Sequence, residues 1–193
     1  GRFTGSEVEH GLLGAAVTEM ARYYGLPVEA SAGSTGYFAP GVRASYERAM
    51  NWAVSILAWP DLLVGPGQLS GSTLLSFEQL LIDVEIFRRC VRLQNGIDTG
   101  PEKWLEDSIG DAGHGGNYLN QKSTSKAIRE GGWYLSKIGF HNTYEKWKSA
   151  GMPDAIDEIQ QTVNEIMKDY QPLSLDVQAD QELERLERKV REL

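Results

Sequence analysis

The sequence predicts a helix-rich α/β fold with parallel strands. Amphipathic helical patterns alternate with two short strand-like segments, the second of them continuously apolar, and both segments run out into loops rich in Gly and Ser. Such alternation means βαβ units, because parallel strands need a crossover and the crossover is usually a helix. Unbroken apolar character, in place of strict alternation, fits a strand covered on both faces.

Taken in order, Glu7 to Tyr24 reads as a helix with Val8, Leu12, Val17, Met20 and Tyr24 recurring along one side. Gly25 stands at the natural stop and Pro27 prevents continuation. The run from Pro27 to Ala32 predicts the first strand, and Gly33 to Gly41 the loop that follows it. A second helix is expected from Val42 to Ala58, with Val42, Tyr46, Ala49, Ala53, Ile56 and Leu57 as its apolar stripe and Pro60 ending it. Asp61 to Gly65 predicts the second strand, and Pro66 to Thr73 a second glycine-rich loop. Ser76 with Gln79 makes a capping box for a third helix, Phe77 to Leu93. Its buried side is expected to hold Phe77, Leu80, Leu81, Val84, Phe87 and Val91.

The second half has a different texture. A short helix is expected from Pro101 through Ile109, a polar loop from Gly110 to Thr124, and helices over Ser125–Leu135, Thr143–Ser149 and Pro153–Tyr170. In the last of these Ile156, Ile159, Val163, Ile166 and Tyr170 are expected to face inward. The tail after Pro172 predicts a charged helix with Leu183, Leu186, Val190 and Leu193 on one stripe. That stripe covers too few heptads for a coiled coil, so packing on its own domain or a modest oligomer contact is expected. The chain therefore divides into residues 1–96 with the βα units, 97–172 as a helical extension, and 173–193 as the terminal helix.

Size and charge exclude several classes. The chain has 193 residues, enough for one compact domain. Its net charge of -8 argues against nucleic acid and anionic membranes. Cys90, the single cysteine, excludes an intrachain disulfide and a cysteine-based zinc site and fits a reducing, cytoplasmic setting. No apolar run approaches the roughly 18 residues that span a bilayer, and no signal peptide opens the chain. It begins Gly-Arg-Phe without Met, as a processed, tagged or truncated piece would. Two strands do not make a stable sheet, so the missing strands are expected in an absent N-terminal part or in another copy.

Ligands of α/β sheets sit at the carboxyl edge of the strands, which puts the two loops first among candidate sites. Tyr37 and Phe38 stand side by side among small residues, and aromatic faces attract quaternary ammonium groups by about 0.5–2 kcal/mol per face. The same pair would equally serve to cover the rim. Gly65 to Thr73 suits an anion cradle of backbone N–H groups, or a plain βα turn that needs glycine. Its spacing matches no Walker or dinucleotide fingerprint. His114 in its glycine loop is a candidate base or ligand, but without companions at ligand spacing no metal site is expected. No triad or nucleophile elbow stands out, so no catalytic residue is assigned. Cys90 reads as a buried, inert thiol. Asp83 and Glu85, flanked by apolar residues, read as a buried cap or salt-bridge partners, catalytic only if that helix end reached the site.

The chain resembles the trimethylamine methyltransferase family. The resemblance runs through Met20-Ala21-Arg22-Tyr23-Tyr24-Gly25-Leu26-Pro27-Val28, the Ala-Gly loop, and Ala44-Ser45-Tyr46-Glu47-Arg48-Ala49. It continues through the second loop, Ser76 to Glu85, Gly115-Gly116-Asn117-Tyr118-Leu119, and Tyr144 to Gly151. Family members are (β/α)8 barrels more than twice this long. The resemblance therefore implies the C-terminal part of a TIM barrel, carrying its last βα units and a helical extension. It implies transfer of a methyl group from a methylated amine to the Co(I) corrinoid of a separate carrier protein, with no cofactor held tightly by this chain. Trimethylamine-specific members carry pyrrolysine in the loop after a strand, at a position that falls near Gly33 to Thr35, where this chain has ordinary residues. That resembles the non-pyrrolysine branch, whose substrates include quaternary amines such as glycine betaine. In two places the chain departs from many relatives: Leu69 to Ser72 replaces an acidic residue, and Asn117 to Gln121 replaces His residues.

On this reading Ser34, Tyr37, Phe38, Gln68 and Ser70 are candidate substrate contacts, and Gly65, Gly67, Gly71 and His114 candidate contacts to the cofactor. The expected partners are a small methylated amine and the corrinoid carrier protein, with a homo-oligomer as a further possibility. Two alternatives stand beside it: a non-catalytic packing or assembly fragment of the barrel, and a barrel segment that binds a phosphorylated ligand.

Overall fold

The computed structural model describes residues 5–31, 33–171 and 176–191. Helix α1 (Val8–Tyr23) leads to strand β1 (Glu29–Ser31), α2 (Val42–Leu57) to β2 (Leu62–Val64), and α3 (Phe77–Gln94) follows. β1 and β2 pair in parallel, with Glu29 opposite Leu62, Ala30 opposite Leu63 and Ser31 opposite Val64. The expected alternation thus becomes a β1–α2–β2 crossover. Below the strands, Val28 N–H donates to Asp61 Oδ2 at 2.8 Å, and the Arg22 guanidinium donates to the Ala58 carbonyl. Among the described residues no further strand joins either edge of this pair. Ala32, counted in the expected first strand, and Leu193, counted in the terminal stripe, lie outside the described residues.

The helices form where their periodicity places them, but several bury a different face from the one expected. On α1 the row Val8, Leu12, Val17, Met20, and Tyr24 beyond its end, is exposed, and Gly11 and Thr18 are buried instead. The small face lets α1 lie close on α2: a Cβ at Gly11 would stand 3.0 Å from Asn51 Cα. On α2, Val42 and Tyr46 are exposed, and the buried residues are Ala44, Arg48, Asn51, Trp52, Ser55 and Ile56. On α3, Phe77 and Phe87 are largely exposed, while Gln79, Ile82, Asp83, Glu85 and Cys90 are buried. The apolar core between α2, β2 and α3 is built on Trp52, Ile56 and Cys90, with Ala53, Leu63, Ile86 and Val91 packed around them. Phe87 meets Trp52 edge to face at 6.2 Å between ring centroids. Burial raises the Cys90 thiol pKa, which keeps it protonated and inert.

The second loop is not an open turn. Gln68–Leu69 (β3) and Leu74–Leu75 (β4) pair antiparallel as a small hairpin. Ser76 caps α3 by accepting from Gln79 N–H at 3.1 Å. The reciprocal half of the capping box is missing: the Gln79 side chain turns to Asp83, and Ser76 N–H donates to the Gly67 carbonyl.

In the second half, the helix expected from Pro101 resolves into a 3-10 turn, Pro101–Lys103, and α4 (Glu106–Ala112), separated by Leu105 with φ 56. A 3-10 turn, Tyr118–Asn120, lies in the expected polar loop, and α5 (Lys122–Arg129) starts earlier than expected and stops ahead of Gly131–Gly132. α6 (Tyr144–Ser149) and α7 (Ala155–Asp169) follow, each with the cap its sequence offers, Thr143 and Asp154. α7 packs on α3 through Ile159 and Val163, leaving Ile166 and Tyr170 exposed. In α8 (Val177–Arg191) Leu183, Leu186 and Val190 are exposed.

Glu85 fastens the extension to α3. Its Oε2 accepts from Tyr134 Oη at 2.8 Å and from Ser136 Oγ and Lys137 N–H at 2.9 Å, while Oε1 pairs with Arg88 at 2.9 Å. Burial pushes this carboxyl up, but the hydrogen bonds together outweigh it and hold Glu85 below the ordinary carboxylate range. A depressed folded pKa contributes stability that is present above the ordinary value near about 4.3 and is lost as pH falls through the lower folded value. Glu85→Gln should therefore cost about 1–3 kcal/mol at neutral pH by leaving buried donors poorly matched. It should also shrink the acid-side loss of stability, measured by urea unfolding at pH 7 and at about pH 2.5, well below the ordinary carboxylate value. An acid limb of unchanged size in the variant would contradict this account.

Candidate functional site

The loops after β1 and β2 are tied to each other. Ser70 N–H donates to the Tyr37 carbonyl and Gly71 N–H to the Thr35 carbonyl, both at 2.9 Å. The hairpin tip that makes these bonds is strained, with Ser70, Gly71 and Ser72 at φ 51, 60 and 74. A non-glycine residue there costs about 1–2 kcal/mol. The Thr73 hydroxyl donates to the Ser70 carbonyl at 2.8 Å and helps hold the tip. In the first loop, Gly33 lies flat on the indole of Trp52, where a Cβ would stand 1.9 Å from Nε1, so only glycine fits. Thr35 is buried and its hydroxyl has two bonds: it accepts from Tyr37 N–H at 3.0 Å and donates to Glu47 on α2.

Beneath the loops lies a polar network that nothing in the apolar periodicity announces. Asp83 is fully buried and receives three donors: Arg48 Nη1 at 2.8 Å and Gly67 N–H at 2.7 Å on Oδ2, and Gln79 Nε2 at 2.8 Å on Oδ1. All three are donor-only contacts, which is the geometry of an ionised carboxylate. Arg48 Nη1 also donates to the Gly65 carbonyl at 3.0 Å, and Gln79 Oε1 accepts from Gly41 N–H at 3.2 Å. Burial pushes the Asp83 carboxyl up, with Arg48, the Gly67 amide and Gln79 pulling it back, and burial lowers the Arg48 pKa. Arg48 Nε and Nη2 and Trp52 Nε1 find no acceptor among the described residues.

The expected contact residues fall as follows. Ser34, Tyr37 and Phe38 lie on the first loop, with Tyr37 half-buried and Phe38 70% exposed. Arg43 of α2 places its guanidinium carbon 5.1 Å from the centroid of the Tyr37 ring. Gln68 and Ser70 lie on the hairpin, half-buried, and Gln68 Oε1 accepts from Ser72 Oγ at 2.7 Å. Of the three glycines, Gly67 gives its N–H to Asp83, Gly71 gives its N–H to Thr35, and Gly65 gives its carbonyl to Arg48. The Gly67 and Gly71 N–H groups are thus committed inside the protein, and the Gly65 carbonyl is held by Arg48. His114 lies apart in sequence, exposed in the turn after α4. The loop-to-loop bonds bring Tyr37 to Ser70, and no contact of that kind brings in His114.

Sequence reasoning marked Asp83 and Glu85 as buried acids but missed their partners. Singly, Arg48, Thr35 and Glu47 carry no site signal in the sequence, and Gln79 is expected there only as the capping-box partner of Ser76, not as a partner of Asp83. The available signal is a pair of opposite charges, Arg48 and Asp83, each in the second turn of consecutive helices, with Asp83 set between Ile82 and Val84. Among the described residues no group of three or more His, Cys, Asp or Glu is placed to hold a metal, and no helix is long and apolar enough to cross a membrane.

A parallel β1–α2–β2 unit, with its two small-residue loops knit over a buried ion pair, places the chain among helix-rich α/β proteins. The chain belongs to the trimethylamine methyltransferase (MTTB) family, whose sequence profile matches residues 1–193. It is similar to trimethylamine methyltransferase MttB of Methanosarcina barkeri, 29% identical over 176 residues that cover 89% of this chain and 35% of that protein. MttB of Desulfitobacterium hafniense is 27% identical over 164 residues, 85% of this chain and 33% of the relative. The proline betaine:corrinoid methyltransferase of Eubacterium limosum is 34% identical over 144 residues, 72% of this chain and 28% of the relative. The chain spans about a third of the length of the curated relatives it matches.

The network predicts a non-additive mutational pattern. Asp83→Ala leaves Arg48 buried without its counter-ion and should destabilise the fold by about 3–5 kcal/mol in urea unfolding. The double change Arg48→Met with Asp83→Leu should cost clearly less than the sum of the two single changes. Additive losses would mean that the pair does not act as a unit.

Proposed function

We propose that the full-length protein moves a methyl group from a methylated, quaternary amine to the Co(I) corrinoid of a separate carrier protein. The observation that carries this reading is family membership along the whole chain, with a betaine:corrinoid methyltransferase among the relatives. The ordinary residues at Gly33 to Thr35 support the quaternary-amine side of it.

The chemistry asks little of this chain's acids and bases. The corrinoid, in its Co(I) form on the carrier, supplies the nucleophile. A quaternary ammonium already bears the charge that makes its amine a leaving group, so the amine departs neutral and no proton has to be delivered. The protein's task is to hold the cation and to align one N–CH3 bond. Such a cation has no N–H to donate, so it is recognised by aromatic faces and by nearby negative charge. Tyr37 and Phe38 offer the faces. Ser34, Gln68 and Ser70 offer hydroxyl and amide groups for the remainder of the substrate, such as a carboxylate. Gly65, Gly67 and Gly71 would form the floor facing the carrier's corrinoid, and His114 would be the remaining candidate on the carrier side.

A second reading has its own observation. The open edges of β1 and β2 and the exposed apolar row of α1 suit a packing or assembly segment with no chemistry of its own. Sizing separates the two, because a folded monomer that binds no amine supports the packing segment.

The deciding measurement is methylation of Co(I) cobalamin by the full-length polypeptide with glycine betaine, proline betaine and trimethylamine. Turnover is expected with a betaine and not with trimethylamine, and Tyr37→Ala should raise KM about 2- to 30-fold. Absence of turnover with every amine would remove the proposal.

A further inference from the structure

The Tyr37 ring already carries a cation. Arg43 stands in the first turns of α2, and its guanidinium carbon lies 5.1 Å from the centroid of the Tyr37 ring. That is the distance at which a cation gains from the ring quadrupole. The backbone that carries the ring is held on both sides: Tyr37 N–H donates to Thr35 Oγ1 at 3.0 Å, and the Tyr37 carbonyl accepts from Ser70 N–H at 2.9 Å. A quaternary ammonium cannot share one ring face with a guanidinium, because the two occupy the same volume and repel.

We propose that Arg43 is a resident cation on Tyr37, which the ammonium group of the substrate must displace before it binds. The inference rests on the amine-binding role of Tyr37 put forward above and adds to it a built-in competitor. The displaced side chain has somewhere to go. Glu47 lies four residues further along α2, so the two side chains are neighbours on one helix face. Glu47 takes part in no ion pair among the described residues, and the bond it accepts, from Thr35, falls on Oε2. Arg43 can therefore leave the ring for a carboxylate and does not have to be returned bare to water. The consequence is selectivity. A neutral amine, or a cation too small to cover the ring, gains too little to dislodge the guanidinium, whereas a fully methylated nitrogen presents a large, weakly hydrated cation.

Calorimetric titration of the full-length polypeptide with tetramethylammonium, with no cobalt present, tests this directly. Arg43→Ala should bind the probe about 3- to 30-fold more tightly than the unaltered protein, and Arg43→Lys, which keeps a cation over the ring, should fall near the unaltered protein. In a Tyr37→Ala background, Arg43→Ala should give no tightening. Equal or weaker binding by Arg43→Ala, or no measurable binding by any variant, overturns the proposal. Tightening that persists without Tyr37 also overturns it, because loss of a positive charge would then act at long range and not at the ring. Methyl transfer assayed on the same proteins separates this inference from the one beneath it. Tightening without turnover keeps the resident cation and removes the methyltransferase, and turnover without tightening does the reverse.

Discussion

One buried carboxylate holds this structure in register. Asp83 collects a guanidinium from α2, an amide hydrogen from the loop after β2, and a side-chain amide from its own helix. A buried ion pair is not in itself a source of stability, since desolvation takes back much of what the charges give each other. What it supplies here is position. Arg48 reaches past Asp83 to the Gly65 carbonyl, and Gln79 reaches past it to the Gly41 amide. The ends of both loops are thereby fixed to one point between two helices, although the sheet below has only two strands among the described residues.

With their ends fixed, the loops satisfy one another. The amides at the hairpin tip, which a glycine-rich segment would otherwise present to an anion, are spent on carbonyls of the first loop. What remains for a ligand is of a different kind: an aromatic pair, a few hydroxyl and amide groups, and a half-buried glutamate bonded to Thr35. These are the groups on which the proposed recognition of a quaternary amine draws. The strained Ser70 and Ser72 at the tip fit this picture, because residues in the left-handed region persist only where the surroundings over-determine them.

The helical extension is attached by the same device at another depth. Glu85, two residues beyond Asp83 on α3, faces the other way and gathers Tyr134, Ser136 and Lys137 onto α3. α7 adds an apolar contact through Ile159 and Val163. Consecutive acids on one helix thus serve two sides of the molecule, one holding the loops and one holding the extension.

The sequence by itself determined the elements of the first half. Periodicity, caps and proline placement found α1, α2, α3 and both strands to within a few residues, and the alternation of helices with strands correctly implied parallel pairing. The resemblance carried by motifs such as Ala44 to Ala49 was enough to name the family. Only the tertiary structure decided which helical faces are buried. The rows of Leu, Val and Met were the obvious candidates, yet α1 and α2 meet through Gly11 and Asn51, and α2 and α3 through Arg48 and Asp83. Periodicity reports that a helix has two unlike faces but not which neighbour each face meets. A polar face can be the buried one whenever its partners come from distant parts of the chain, and Arg48 and Asp83 are brought together only by the crossover that makes β1 and β2 adjacent.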